Sequence, residues 1–317
     1  MRRIVFAFAA AGALLAGLLS GPAPALAWGP EAHRTIALMA DRILAKSAPA
    51  ARAKLHAILA SDKDNRFTRN DLASEAIWAD VLMDKSPEAR SATSGWHDVR
   101  MKAGSPDLAA ACAGHRPLPA GYPASRGPRN NCAVDKVEQF AKELQDSATE
   151  AHERVAAVRF LLNLVGDLND PLNTIDHGDR GGECVAIQVG SRPPMRLADY
   201  WEDRLVREVV GPDPARGATR ILASVPEAAA RKWAEGTPAD WARDSYEVAR
   251  SVVYSFAGGK PDGQHHFPTR KGAASACATV PLYRVGADYE TKALAAVKLQ
   301  LEKGGVRLAR VLADSLK

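Results

Sequence analysis

Trp28-Gly29-Pro30-Glu31-Ala32-His33 is the stretch that best indicates the fold of this 317-residue protein. Pro30 suits the first turn of a helix, because the N–H that proline lacks would have no intrahelical acceptor there. Apolar residues then recur along one helical face, at Ile36, Met39, Ala40, Ile43 and Leu44. Pro49 lies beyond the predicted end of this helix. The sequence therefore predicts an amphipathic helix that carries His33 in its first turn.

The segment before this helix has the organisation of a secretory signal peptide. Met1-Arg2-Arg3 precedes an apolar run from Ile4 to about Leu19, and small residues follow in Ala25-Leu26-Ala27. An uncleaved anchor is the alternative, but the run is short for a membrane span. We expect cleavage after Ala27 and a secreted or periplasmic protein. The freed amine of Trp28 would have a reference pKa of about 8 and could bind a metal ion.

Residues 28–317 contain no Ser/Gly-rich linker or compositional break, so we expect a single domain without a transmembrane segment. Periodic apolar positions predict further helices at residues 72–84, 135–148, 151–168, 196–210, 238–256 and 285–316, the last one interrupted at Gly304-Gly305. Residues 101–131 and 173–195 look irregular, although Cys184–Val189 is a plausible strand. The predicted class is all-α, a single large helical domain with a small β-hairpin.

Charge and cysteine content are consistent with an exported protein but do not define its substrate. The formal net charge of +5 suits a phosphate-bearing substrate, and an ordinary surface explains it equally well. The even number of cysteines predicts disulfides. Pairing Cys112 with Cys132 would close a Pro/Gly-rich loop, and pairing Cys184 with Cys277 would tie the middle of the chain to its last third. The sequence leaves all possible pairings open.

Three short elements place a carboxylate or an imidazole where it needs a partner. Asp80 lies in a Trp-Ala-Asp element on a predicted helix, His97 lies in a Trp-His element, and Asp167 ends an apolar helix. An unpaired charge on such a helix is costly to bury, and its ordinary partner is an arginine or a backbone amide. A metal ion is a more specific candidate partner, because aspartate and histidine are common zinc ligands.

In their order and spacing these elements resemble the zinc-dependent single-strand-specific nucleases of fungi, plants and bacteria. That family is distantly related to bacterial zinc phospholipase C. The resemblance runs from Trp28 to the C-terminus. It rests on the Trp and His of the first element, the Trp-Ala-Asp, Trp-His, Asn-Cys-Ala-Val, Gly-Asp-x-x-x-Pro-Leu and Asp-Arg-Gly-Gly elements, and the Gly-Gly-Val-Arg-Leu-Ala tail. It implies a helical domain with zinc ions bound in a cleft.

The resemblance also implies a role for each candidate residue. Trp28 and His33 would hold one zinc ion, Asp80 and His97 would hold a second, and Asp167 would bridge the two. Asp80 would in addition orient the water molecule that attacks phosphorus, which makes it the catalytic residue.

Four positions depart from the pattern of the family. Asn163 and Asn173 stand where the family has histidines, and Ala198 and Glu202 stand where it has a histidine and an aspartate. Asn163 and Glu202 remain weaker candidate ligands. The neutral amide oxygen of Asn163 binds zinc poorly, whereas the carboxylate of Glu202 can still bind it. We therefore expect two zinc ions and the loss of the third zinc site.

Substrate-binding positions also differ. Asp98 replaces an aromatic residue that stacks on a base, Glu183 replaces an asparagine that hydrogen-bonds a base, and Arg180 lies in the same turn as Glu183. We predict a monomeric metal-dependent phosphodiester hydrolase, endonuclease-like or nucleotidase-like, that acts on single-stranded nucleic acid or nucleotides. A non-catalytic, metal-stabilised binding protein is one alternative, which the missing histidines favour. A phospholipase C-like phosphodiesterase is the other, which Glu202 favours.

Overall fold

A computed structural model of the chain describes residues 28–64, 66–268 and 277–317. The predicted signal peptide, residues 1–27, lies outside these ranges. The helices are α1 Pro30–Ser47, α2 Pro49–Ser61, α3 Leu72–Glu75, α4 Trp78–Lys85, α5 Pro87–Thr93, α6 Leu108–Ala111, α7 Ala133–Gln145, α8 Ala151–Asp167, α9 Leu205–Val210, α10 Pro214–Ala223, α11 Glu227–Ala234, α12 Pro238–Val248 and α13 Ala287–Ser315. The strands are β1 Met101–Lys102, β2 Ile175–Asp176, β3 Ala186–Val189, β4 Met195–Arg196, β5 Gly263–His266 and β6 Thr279–Val285. The predicted mainly helical class is confirmed. Of the helices described, none is long and apolar enough to cross a membrane.

Helix α1 is the helix predicted from its opening proline, and it lies at the centre of the domain. It packs along α13 and also contacts α8 and α10. Its apolar face is fully buried at Ile36, Met39 and Leu44. His33 is likewise buried, so the first turn of α1 directs an imidazole into the interior of the protein.

The predicted interruption of the last helix is wrong, because α13 is continuous through Gly304 and Gly305. A Cβ at Gly304 would come within 3.0 Å of Ile36 Cδ1, and one at Gly305 within 2.7 Å of Met39 Cε. The two glycines therefore lie at a close contact between α1 and α13. Close packing here outweighs the low helix propensity of glycine, which costs about 1 kcal/mol per residue relative to alanine.

Other helix boundaries differ from prediction in ways that have local causes. The helix expected at residues 72–84 is divided into α3 and α4, and the Asp71 side chain caps α3 by accepting from the Ser74 amide. The helix expected at residues 196–210 begins later than predicted. Residue 196 is the last of β4, a π-helical turn spans Asp199–Arg204, and α9 follows it. Helix α10 was not predicted, although Asp213 followed by proline is a recognisable N-cap.

The predicted hairpin is confirmed, since β3 pairs with β4 in antiparallel fashion. It belongs to a four-stranded sheet of order β4-β3-β6-β5, in which β3 runs parallel to β6. Cys184 and Cys277 form a disulfide beside this pairing, and Cys112 bonds to Cys132. The predicted presence of disulfides is thus confirmed, and among the pairings that the sequence left open the structure contains these two. A parallel partner from far along the chain leaves no local sequence signal, because pairing depends on tertiary approach.

Candidate metal centre

Four predicted ligands from four separate segments converge at the centre of the domain. His33 comes from α1, Asp80 from α4, His97 from the turn after α5, and Asp167 is the last residue of α8. Asp167 Oδ1 lies 3.4 Å from His33 Nε2, and its Oδ2 lies 2.8 Å from His97 Nδ1. The Asp80 carboxylate lies 3.8 Å from His33 Nε2 and 3.8 Å from His97 Nδ1. The four side chains therefore form one cluster around Asp167.

The Gly-Asp pair at the end of α8 has a steric explanation. A Cβ at Gly166 would lie 2.7 Å from Nδ1 of His33, so only glycine lets α8 approach the imidazole this closely. The next residue, Asp167, then reaches the same imidazole from the other side. The glycine thus places the carboxylate and the imidazole against each other.

The turn that carries His97 is fixed by the tryptophan before it. Trp96 is fully buried, and its indole Nε1 donates to the carbonyl of Pro128 at 2.9 Å. Its ring packs edge-on against Phe160 of α8, with 5.4 Å between the centroids. The Trp-His element therefore joins a packing residue to a ligand, which holds the imidazole of His97 against α8.

Several nitrogen and oxygen atoms of this cluster are buried without a hydrogen-bond partner. They are both ring nitrogens of His33, Nε2 of His97, Oδ1 of Asp80 and Oδ1 of Asp167. A buried polar atom left unsatisfied costs about 1–3 kcal/mol, so an accumulation of them requires a further partner. Imidazole nitrogens and carboxylate oxygens are the donors that zinc accepts. The residues present therefore fit a metal ion.

The electrostatics of the cluster also favour a cation. Burial raises the pKa of Asp80 to about 7, and burial together with Asp170 raises the pKa of Asp167 well above its usual range. Burial and the neighbouring His97 lower the pKa of His33 to about 3, and burial lowers the pKa of His97. Burial thus favours the neutral form of both imidazoles and disfavours the charged form of both carboxylates. A bound cation reverses this preference, because it stabilises the carboxylate form.

Asp170 belongs to the cluster although it was not predicted. Its Oδ1 accepts from the Leu172 amide at 2.9 Å, while its Oδ2 is buried without a partner. Burial raises its pKa to about 7, and the Leu172 amide, Arg100 and the backbone of Trp28 oppose that rise. Trp28 itself is buried, and its backbone also influences His33. Asp170 could have been found in the sequence as a second aspartate one turn after Asp167.

The two asparagines contact the cluster in different ways. Asn163 donates from Nδ2 to Asp80 Oδ2 at 2.9 Å, and its own Oδ1 is buried without a partner. Asn163 therefore orients Asp80 and still offers an oxygen. The side-chain Nδ2 of Asn173 lies 3.5 Å from the backbone carbonyl oxygen of Asp167. The backbone carbonyl of Asn173 accepts a hydrogen bond from the Val99 amide at 2.9 Å.

The weaker candidate Glu202 contacts the N-terminal segment next to Trp28. Its side chain is buried, and its backbone carbonyl accepts from the Gly29 amide at 3.0 Å. Burial raises its pKa well above the usual range and Asp170 raises it further, while Arg100 opposes both effects. Ala198, at the other altered position, contributes only a buried methyl group.

The predicted substrate-binding residues are either accompanied by an arginine or exposed. Asp98 pairs with Arg100 at 3.1 Å, and the Glu183 carboxylate lies 3.9 Å from Nε of Arg196. Arg180 is exposed and has a positive φ of 61°, in the turn that leads to Glu183. The carboxylates of Asp98 and Glu183 are thus both accompanied by arginines, which the sequence alone did not indicate.

A second group of potential ligands lies elsewhere, at Cys112, His115 and Asp135, with ligand atoms within 4.8 Å of one another. The Cys112 sulfur is bonded to Cys132, so it offers no thiolate. His115 Nδ1 already pairs with Asp135 Oδ1 at 2.7 Å. We assign no metal site there.

Comparison with known proteins places the chain in a family. Residues 28–317 match the family described as S1/P1 nuclease. Nuclease PA3 from Penicillium sp and Nuclease P1 from Penicillium citrinum are each 23% identical to the chain over 299 residues, which is 89% of this chain and 95% of each relative. The family resemblance inferred from short elements is thereby confirmed. The chain belongs to the S1/P1 nuclease family.

Proposed function

We propose that the protein is an exported, zinc-dependent phosphodiester hydrolase. It would bind two zinc ions and act on single-stranded nucleic acid or nucleotides. The observation that carries this proposal is the set of buried ligand atoms without partners on His33, Asp80, His97 and Asp167. Membership of the S1/P1 nuclease family supports it. The names of the two relatives, both nucleases, support the choice of substrate.

The four side chains have distinct proposed roles. His33, with the freed amine of Trp28, would hold one ion, Asp80 and His97 would hold the other, and Asp167 would contact both. Bound zinc would supply a nucleophile at neutral pH, because it lowers the pKa of a coordinated water to about 7. Asn163 would contribute mainly by orienting Asp80 through its hydrogen bond.

Asp80 is the proposed catalytic residue for a specific reason. Its side chain is 14% exposed, whereas those of His33 and Asp167 are fully buried. One of its oxygens is held by Asn163, and the other has no partner. With Oδ1 assigned to the metal ion, Oδ2 would accept a hydrogen bond from the attacking water besides that from Asn163, and so orient the water toward phosphorus.

The role of Trp28 depends on removal of the residues before it. A free amine can bind metal once it is deprotonated, whereas a peptide nitrogen is a poor ligand. The predicted cleavage site after Ala27 and the start of the family match at Trp28 both support a mature chain that begins there. The two disulfides support export, because such bonds persist mainly outside the cytosol.

The proposal is tested on residues 28–317 purified without chelators. Zinc per chain would be measured by mass spectrometry, together with hydrolysis of bis(4-nitrophenyl) phosphate and of a fluorescent single-stranded DNA. We expect two zinc ions, weak but chelator-sensitive hydrolysis of the nitrophenyl ester, and slower cleavage of DNA. Complete inertness with both ions bound would favour a non-catalytic binding protein. Selective hydrolysis of nitrophenyl phosphorylcholine would favour a phospholipase C-like enzyme.

A further inference from the structure

Asn169 closes the C-terminal end of α8, two residues beyond Asp167. Its side-chain Nδ2 donates to the carbonyl of Val165, in the last turn of the helix, at 2.7 Å. The last four carbonyls of a helix lack a donor within the helix, so a side chain that supplies one fixes where the helix ends. Asn169 is fully buried. The end of α8 that carries Asp167 is therefore closed by the turn that follows it.

Arg307, the arginine of the Gly-Gly-Val-Arg-Leu-Ala tail, holds the oxygen of the same amide. Its Nη1 donates to Asn169 Oδ1 at 2.5 Å. The guanidinium is held in turn by Asp244 of α12, whose Oδ2 accepts from Nη2 at 2.8 Å, and it lies over the ring of Trp241. A planar guanidinium with donors engaged on two sides has little freedom to turn. The side chain of Asn169 is thus bound to α13 in one orientation.

Two further side chains bind the backbone of this turn. Ser245 Oγ of α12 donates to the carbonyl of Leu168 at 2.7 Å, and Gln300 Nε2 of α13 donates to the carbonyl of Asn169 at 3.0 Å. Gln300 Nε2 also donates to Ser245 Oγ at 2.9 Å, which joins the two helices. Both side chains are fully buried. Donors from α12 and α13 therefore converge on two consecutive residues, Leu168 and Asn169.

The residues held in this way lie between two buried carboxylates. Asp167 Oδ1 has no hydrogen-bond partner, and Oδ2 contacts the imidazole of His97. Asp170 follows Asn169, and its Oδ2 is also buried without a partner. Within the residues that the structure describes, neither of these two free oxygens is held by a donor. The place of each carboxylate therefore depends on the backbone of the turn.

Stability alone does not require so many buried polar groups at the end of a helix. A glycine or a water molecule is commonly enough to complete one. Here the chain buries a guanidinium and two side-chain amides instead, although burial of such groups costs free energy unless they are hydrogen-bonded. Their contacts are concentrated on Leu168 and Asn169, the two residues that separate the carboxylates.

We propose that Asn169 and Arg307 are positioning residues for the metal centre. Arg307, acting through Asn169, fixes the direction in which the carboxylate of Asp167 leaves the end of α8. This role rests on the proposed function, because it takes Asp167 as the ligand that contacts both zinc ions. Metal–ligand distances vary by only about 0.2 Å, so a small displacement of this carboxylate weakens the site. Neither Asn169 nor Arg307 is assigned a contact with metal or substrate.

The first experiment measures zinc affinity in residues 28–317 by competition with a chelator, and thermal unfolding with and without zinc. Arg307→Met keeps much of the side-chain volume and removes its donors. We expect about tenfold weaker zinc binding, at the low end of the range for groups that orient metal ligands. Zinc should then raise the stability of the variant less than that of the wild type. A loss of stability that is the same with and without zinc overturns the proposal.

Lys303→Met is the matched control. Lys303 lies one turn before Arg307 on α13, is similarly buried, and donates to the same Asp244 at 2.7 Å. In the described part of the chain it makes no hydrogen bond to residues 167–170. The control should lower stability and leave zinc affinity unchanged. An equal loss of zinc affinity in Arg307→Met and Lys303→Met would show that the contact with Asn169 is not the cause, and it would overturn the proposal.

The second experiment tests whether Arg307 acts through Asn169. Asn169→Ala alone should weaken zinc binding about as much as Arg307→Met, and the double variant should be no weaker than either, because the two residues form one contact. Losses that multiply in the double variant would contradict this coupling. Ser245→Ala removes the smallest group and should weaken zinc binding less than Asn169→Ala. Should Arg307→Met fail to fold, unchanged zinc affinity in both Asn169→Ala and Ser245→Ala would overturn the proposal.

The wild-type protein separates this proposal from the proposed function. A wild type that binds two zinc ions but hydrolyses neither the nitrophenyl ester nor DNA contradicts the proposed function, and the zinc affinities still decide the role of Arg307. A wild type that hydrolyses both, with the same zinc affinity as Arg307→Met, contradicts the positioning role alone. A wild type that binds no zinc contradicts both.

Discussion

The two groups of buried carboxylates differ in the partners that the chain provides for them. The imidazole side, made of His33, Asp80, His97 and Asp167, contains neutral rings and buried ligand atoms that have no protein partner. The arginine side, made of Asp170, Glu202 and their neighbours, has arginines beside the carboxylates at its edge, Arg100 with Asp98 and Arg196 near Glu183. Carboxylates at the edge of this side therefore have partners within the chain, whereas several ligand atoms of the imidazole side have none.

The largest effect should follow from a change to the carboxylate at the centre of the imidazole side. Asp167→Asn removes the charge that contacts both imidazoles, so we expect loss of both zinc ions, of all hydrolysis and of thermal stability. Zinc analysis and thermal unfolding would measure this. Asp84→Asn, on the exposed end of α4, is the control and should retain both ions. A full zinc complement in Asp167→Asn would mean that this carboxylate does not bridge two ions.

A change at Asp80 should separate catalysis from metal binding. Asp80→Asn keeps the shape of the side chain but weakens its ability to orient water, so hydrolysis should be abolished while at most one zinc ion is lost. Rates on the nitrophenyl ester and zinc per chain would be compared in the same preparation. Substantial activity in this variant would assign the catalytic role to another residue.

The N-terminus should affect only the ion that it helps to hold. One extra residue retained before Trp28 converts the amine into a peptide nitrogen, so we expect weaker zinc binding and partial loss of activity. His33→Ala should resemble it. A single residue added after Lys317 is the matched control, because the C-terminus is not among the predicted ligands. Zinc affinity that is the same with and without the extra residue would remove Trp28 from the ligand set.

A steric change should disturb the imidazole side without altering any ligand. In Gly166→Ala the new Cβ would meet His33 Nδ1 at 2.7 Å, so the ring or α8 must move. Overpacking of this kind costs roughly 1–3 kcal/mol. We expect lower thermal stability and weaker zinc binding, measured by unfolding with and without a chelator. Unchanged zinc affinity would show that His33 has freedom to adjust.

The smallest effect on metal binding should come from the disulfide beside the arginine side. Cys184→Ser with Cys277→Ser should lower stability by about 2 kcal/mol, near the low end of the usual range because the domain is large. Zinc content should remain at two, since neither cysteine belongs to the imidazole side. Before mutation, thiol titration of the folded protein should detect no free thiol. Loss of zinc in the double variant would couple the two sides more tightly than we propose.

Much of the fold and of the imidazole side was predictable from the sequence because the signals are local. The spacing of apolar residues predicts α1 and α8. Gly166, just before Asp167, lies at a close contact between α8 and His33. His33, Asp80 and His97 were found because each lies in a short element of the family pattern. The cysteine pairs were proposed as one of several possibilities, and the structure distinguishes them.

The sequence by itself determined that the chain is mainly helical, that its cysteines pair, and which residues form the imidazole side. Only the tertiary structure decided that α13 continues through Gly304-Gly305, that β3 pairs with β6, and that Asp170 is buried with an oxygen that has no partner. The physical reason is the range of the interactions. Helix periodicity and capping act over a few residues, whereas charge balance and close packing depend on groups that meet only after the chain has folded.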